Sequence, residues 1–184
     1  MRSSGSEGLD IRDQGIEVNA AQRQFVNFVK SRKPKKIQDL RGGRYIFRPI
    51  GSGAFRDAYA VWTKSSRDLK TVIKMPIDRE GHSHACCEMQ AINKILTTNK
   101  LLPLRRYIPE IFYYGPMTGV IIVRRYNKIP WSFAFYGFVT AFTDLLNDLL
   151  PQMRYRFDDG NANFGITKSG DYILLDAGLL GEER

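Results

Sequence analysis

The chain has 184 residues with 28 Lys+Arg against 19 Asp+Glu, a formal charge of +9 on a length that suits one domain or one two-lobed unit. Hydrophobic residues at 43% and charged residues at 26% are ordinary globular usage, which argues against wholesale disorder, collagen-like repeats and low complexity. No apolar run reaches the roughly 18 residues of a membrane span, and MRSSGSEGLD lacks the apolar stretch of a secretory leader, so a cytoplasmic protein is expected.

Residues 1 to about 17 are polar and Ser/Gly-rich and read as a flexible tail. Ala21, Phe25, Phe28 and Val29 then recur at helical spacing behind Asn19, predicting a short amphipathic helix from Asn19 to Lys30 that docks onto something. The basic stretch SRKPKK, broken by Pro34, reads as a solvated linker, with a phosphate- or partner-binding arm as the sharper alternative.

Strands are expected at Arg44–Ile50, Ala58–Trp62 and Thr71–Met75, followed by a helix between Gly81 and Asn99. Two more strands, Ile111–Tyr114 and Val120–Arg125, flank a Gly115-Pro116 turn and complete a five-stranded sheet carrying one helix. Pro130 opens a long apolar helix, Trp131–Leu150, and two short strands, Asn163–Thr167 and Tyr172–Leu175, surround the turn KSGD.

Chemistry gathers at two places in this series. In GSGAF, Gly51 and Gly53 remove side chains where backbone must approach a ligand, and the amides of Gly51, Ser52, Gly53, Ala54 and Phe55 suit phosphate oxygens. Lys74 follows on a strand, and Glu88 on the next helix is suited to hold its ammonium toward a phosphate. Further on, RFDDGNANFG and YILLDAG supply Asp158, Asn163 and Asp176, five and then thirteen residues apart. A carboxylate that accepts a hydroxyl proton, an amide oxygen and a second carboxylate able to share Mg²⁺ are what phosphoryl transfer needs.

In order and spacing, Gly51/Gly53, Lys74, Glu88, Asp158, Asn163 and Asp176 resemble the protein-kinase-like superfamily, over about residues 44 to 178. The brevity of the chain and its FDDGNANFG loop look most like the small bacteriophage-encoded protein kinases, which are associated with phosphorylating host proteins. The resemblance implies an α+β, two-lobed fold with a truncated C-terminal lobe: a tail, helix and basic linker over 1–43, an N-lobe over 44–127 and a C-lobe over 128–184. It implies ATP between the lobes, Mg²⁺ (or Mn²⁺) on Asn163 and Asp176, Lys74 on the α- and β-phosphates, Glu88 orienting Lys74, and Asp158 at the acceptor hydroxyl of a Ser/Thr protein substrate.

The sequence also departs from the pattern. Arg56 stands where the third glycine belongs, Arg156-Phe157 replaces the His-Arg before the catalytic Asp, and six residues follow Gly178, too few for an activation segment. A pseudokinase acting as a regulatory binding protein, an AMP-transferring enzyme on the same fold and a nucleic-acid-binding module through SRKPKK are therefore the alternatives. His82, His84, Cys86 and Cys87 fit no usual zinc spacing, and adjacent cysteines rarely bridge. Arg124 and Arg125 read as structural or solvated rather than substrate-reading. Trp131, Phe133, Phe135, Phe138 and Phe142 demand burial, and the expected cover is the N-terminal helix, a target protein or, preferentially, a second copy of the chain.

Overall fold

A computed structural model describes residues 17–65, 67–130, 132–149 and 163–176. The expected tail, Trp131 and the loop bearing Asp158 lie outside the described residues. The described chain is α+β and divides into two compact units, one of residues up to 86 with 110–125, the other of 87–109 with those from 126 on.

The first unit begins with α1 (Ala20–Arg32), whose start is fixed by a reciprocal cap: Gln22 donates its backbone N–H to Asn19 Oδ1 at 3.0 Å, and Asn19 donates its own to Gln22 Oε1 at 3.1 Å. Its apolar face does dock. Phe25, Val26 and Val29 enter one core with Leu40, Tyr45, Val61, Ile73, Met75 and Ile122. The helix outruns its expected end by two residues and closes on Lys33 in the left-handed region (φ 46°), so half of SRKPKK is helix and cap, and Pro34 is buried.

The sheet against which α1 packs is antiparallel throughout, in the order β1-β2-β3-β5-β4: β1 (Tyr45–Ser52), β2 (Arg56–Thr63), β3 (Asp68–Pro76), β4 (Ile111–Gly115) and β5 (Val120–Arg124). These are the five strands expected, each within a few residues of its expected limits. Alternation along β3 sends Ile73 and Met75 into the α1 core and Val72 and Lys74 to the opposite face. Arg124 and Arg125 are structural: Arg124 bonds Glu110 at 2.7 Å, and Arg125 pairs with Asp68, which also takes Lys70 Nζ at 2.8 Å.

α2 (Arg79–Thr97) contributes its first turns to the first unit and the rest to the second. The second unit holds a 3₁₀ segment, Asn99–Tyr107, then β6 (Asn127–Lys128), α3 (Phe133–Leu149), β7 (Phe164–Ile166) and β8 (Tyr172–Leu174). The expected two-stranded ribbon is a three-stranded sheet, because β6 pairs Asn127 with Ile166 and Lys128 with Gly165. Two exposed polar residues leave no alternation by which a strand is recognised.

The need for outside cover on α3 is corrected at three positions. Phe135 and Phe142 are 0% and 2% exposed, and Phe138 is half-buried, because Phe164 of β7, Tyr172 of β8 and Tyr107 pack on them with ring centroids 4.3–6.1 Å apart. Phe133, by contrast, is 97% exposed. Among the described residues no helix is long and apolar enough to cross a membrane.

Candidate functional site

In the first unit, strand register assembles a row across the sheet: Gly51 opposite Ala58, Ala58 opposite Lys74, Lys74 opposite Ile121, and Ile121 opposite Tyr114. Directly opposed residues share a sheet face. Gly51 of the glycine turn thus stands two strand spacings, about 10 Å, from Lys74, with only the methyl of Ala58 between them. Lys74 is half-buried and partnered, held on a strand paired on both sides.

The turn itself is exposed from Gly51 to Ala54. Gly53 N–H donates to the Arg56 carbonyl at 3.0 Å and Ser52 Oγ to Asp57 at 2.7 Å, so the turn has a defined shape. Arg56 opens β2 opposite Pro76.

What anchors the turn was not legible in the motif. Phe55 accepts the Ile77 N–H on its carbonyl at 3.0 Å and stacks its ring on His84 at 3.7 Å. Asp78 caps α2 by accepting the Gly81 N–H at 2.8 Å, and Gly81 passes so close to Phe55 that a Cβ there would fall 2.1 Å from the Phe55 carbonyl oxygen. The clue in the sequence is a glycine in the first turn of a helix, where it is costly without a reason.

His82 donates Nε2–H to the Pro116 carbonyl at 2.9 Å, and Cys86 Sγ lies 2.9 Å from Tyr114 Oη. Together with the His84 stack, these contacts hold the first turns of α2 within the first unit. Among the described residues no three His, Cys, Asp or Glu side chains form a metal-holding group.

In the second unit Glu88 is 1% exposed and partnered, as a carboxylate at that depth must be. Asn163 directly precedes β7, and Asp176 is the second residue after β8. Phe164 opposes Leu174, and Leu175 N–H donates to the Asn163 carbonyl at 2.7 Å, so Asn163 stands across from Leu175 and Asp176 comes next, both at one end of the hairpin. Their position is set from beneath: Phe164, 1% exposed, is clamped by Phe135, Phe138 and Phe142. Gly165 admits Tyr126, whose Cβ would lie 2.5 Å from a side chain built there.

The far end of the hairpin is closed by Asp171, whose carboxylate accepts the hydroxyls of Ser169 and Thr167; these bonds hold it below the usual carboxylate range. Asp158, with its neighbours Arg156, Phe157 and Asp159, lies outside the described residues.

No protein-family model matches the chain, and no curated protein is significantly similar to it. Among solved structures, that titled "Crystal structure of Cex1p" is similar at 15% identity and a TM-score of 0.44, covering 78% of this chain and 28% of that one. The chain therefore spans less than a third of that protein, and so distant a likeness carries no argument.

Proposed function

We propose that the chain is an ATP- and Mg²⁺-dependent phosphotransferase of minimal, two-lobed protein-kinase-like form, acting on Ser or Thr hydroxyls of proteins. The observation that carries this reading is the placement of Asn163 and Asp176 at the same end of one hairpin. An amide oxygen and a carboxylate oxygen are hard donors suited to Mg²⁺, which prefers one or two protein oxygens and completes its shell with water and phosphate. Bound there, Mg²⁺ would neutralise charge on the phosphates.

The row from Gly51 to Lys74 supports the same reading, because it sets a turn without side-chain obstruction and a fixed ammonium on one sheet face. In this reading the backbone of Gly51 to Phe55 covers the phosphates, Lys74 holds their charge and Glu88 orients the lysine. Asp158 orients the acceptor hydroxyl or takes its proton.

Intact-mass and peptide mass spectrometry after incubation with Mg-ATP tests it, with Asp158→Ala beside the wild type. A phosphoryl adduct on Ser3, Ser4 or Ser6, or on proteins of a cell expressing the chain, that is lost in the variant is the expected result. An adenylyl adduct would replace this reading with nucleotidyl transfer. Binding of ATP with neither adduct would make the chain a pseudokinase.

A further inference from the structure

Residues 31–44 carry six cations, Arg32, Lys33, Lys35, Lys36, Arg41 and Arg44, against one carboxylate, Asp39, a net +5 out of the whole chain's +9. All six are exposed. Among the described residues none of them pairs with a carboxylate within 4.0 Å. The single acid is turned inward on the backbone: Asp39 accepts the N–H groups of Lys35 at 2.8 Å and Lys36 at 3.0 Å, bonds that hold its pKa below the ordinary value. It shapes the basic loop without engaging either ammonium in an ion pair.

The cations are gathered in space as well as in sequence. Arg32 lies over the Phe28 ring at 5.4 Å, Phe28 packs on Tyr45 at 5.1 Å, and Arg44 lies over Tyr45 at 5.2 Å while bonding Gln24 at 2.9 Å. The end of α1 and the start of β1 are thereby joined into one surface. Between them the loop is fixed by buried Pro34 and Leu40 and by Lys33, whose N–H caps α1 on the Val29 carbonyl at 3.1 Å. A solvated linker needs no such anchoring.

We infer that this face is a binding site for the phosphodiester backbone of a nucleic acid, read without sequence preference. Exposed cations on a fixed frame gain by releasing condensed counterions from a polyphosphate, and Lys and Arg contacts to phosphate position a duplex without reading its bases. Tyr45 is 6% exposed and Phe28 is half-buried with Arg32 over its ring, which disfavours base stacking on either. A membrane-seeking helix would present an apolar face for insertion, whereas Phe25, Val26 and Val29 of α1 are 0–6% exposed in the core. An acidic protein partner is disfavoured because no large apolar group is exposed between Ser31 and Arg44 to seed a dry interface.

The test is fluorescence anisotropy of a labelled 20-base-pair DNA and a labelled single-stranded RNA between 50 and 200 mM KCl, on the full chain. The expected result is micromolar binding at 50 mM, with a log K against log salt slope for duplex of about −0.9 per phosphate neutralised, so roughly −3 to −5. Lys33→Glu/Lys35→Glu/Lys36→Glu should lower that slope in magnitude by about 3 and weaken binding at least tenfold at 100 mM. Replacing the same three by Arg should restore it. The variant Lys128→Glu/Lys168→Glu changes exposed charge in the second unit and should retain binding within a few-fold; circular dichroism checks the fold of each. Absence of binding to both nucleic acids at 50 mM, or equal slopes for wild type and the triple Glu variant, overturns the inference. So does capture by phosphatidylserine vesicles with no binding to either nucleic acid, which would reassign the face to membranes.

Discussion

Gly81 and Phe55 touch backbone to backbone: a Cβ on Gly81 would come 2.1 Å from the Phe55 carbonyl oxygen, so the glycine turn and the start of α2 are built as one piece. Gly81→Ala sets two effects against each other. Alanine favours the helix by about 1 kcal/mol, whereas overpacking against fixed backbone costs typically about 1–3 kcal/mol. The strain should win, because the clashing atom is backbone and cannot swing aside. The expected outcome is a lower denaturation midpoint by urea titration and, under the proposed function, weaker ATP binding as the turn shifts.

Asp176→Ala and Asn163→Ala should each weaken Mg-ATP binding while leaving the melting temperature of the free protein within a few degrees, since both residues are half-exposed at a hairpin end. Calorimetric titration with and without Mg²⁺ checks this. Under the proposed function the Mg²⁺ dependence of binding shrinks in both variants; an unchanged dependence would remove the metal role from this pair.

Phe164→Ala should cost about 3–5 kcal/mol, the range for truncating a buried aromatic, because its ring is clamped by three phenylalanines of α3. Loss of near-ultraviolet circular dichroism and a lowered urea midpoint would report it.

The Asp68 cluster makes a pH prediction. Burial raises the Asp68 pKa, but bonds from Lys70 and the charges of Arg125 and Lys70 outweigh it and hold the carboxyl below its ordinary value. A depressed folded pKa contributes stability that is present above the unfolded value, near 4, and lost as pH falls through the folded one. Urea midpoints between pH 7 and pH 2.5 should therefore fall below about pH 4 in wild type. In Asp68→Asn the midpoint should be lower at pH 7 and the acid-dependent fall smaller.

Much of the architecture was legible because its signals are local. Asn19 before an apolar stripe gives a cap and a helix, and alternation in β3 sorts Ile73 from Lys74. The placement of Asn163 and Asp176 at one hairpin end was implied by their flanking strands and the KSGD turn. What escaped depends on distant partners. Gly81 reads only as the near limit of a helix until Phe55 is seen beside it, β6 is too short to carry a pattern, and the α3 phenylalanines look uncovered because their cover, Phe164 and Tyr172, belongs to strands of three residues each. SRKPKK reads as linker for the same reason: its anchors, Pro34 and Asp39, act through burial and backbone bonds that composition does not record.

The hairpin that joins Asn163 to Asp176 works as a caliper, and its arms matter more than the count of residues between its points. Residues inserted in the Thr167–Asp171 turn leave both tips where they are, provided the strands keep their pairing. One residue deleted from a single arm would slip the register and turn one tip to the other face. Thirteen is therefore a property of this ribbon's length. Related sites are better sought by two short paired strands that end together than by a fixed interval between an asparagine and an aspartate.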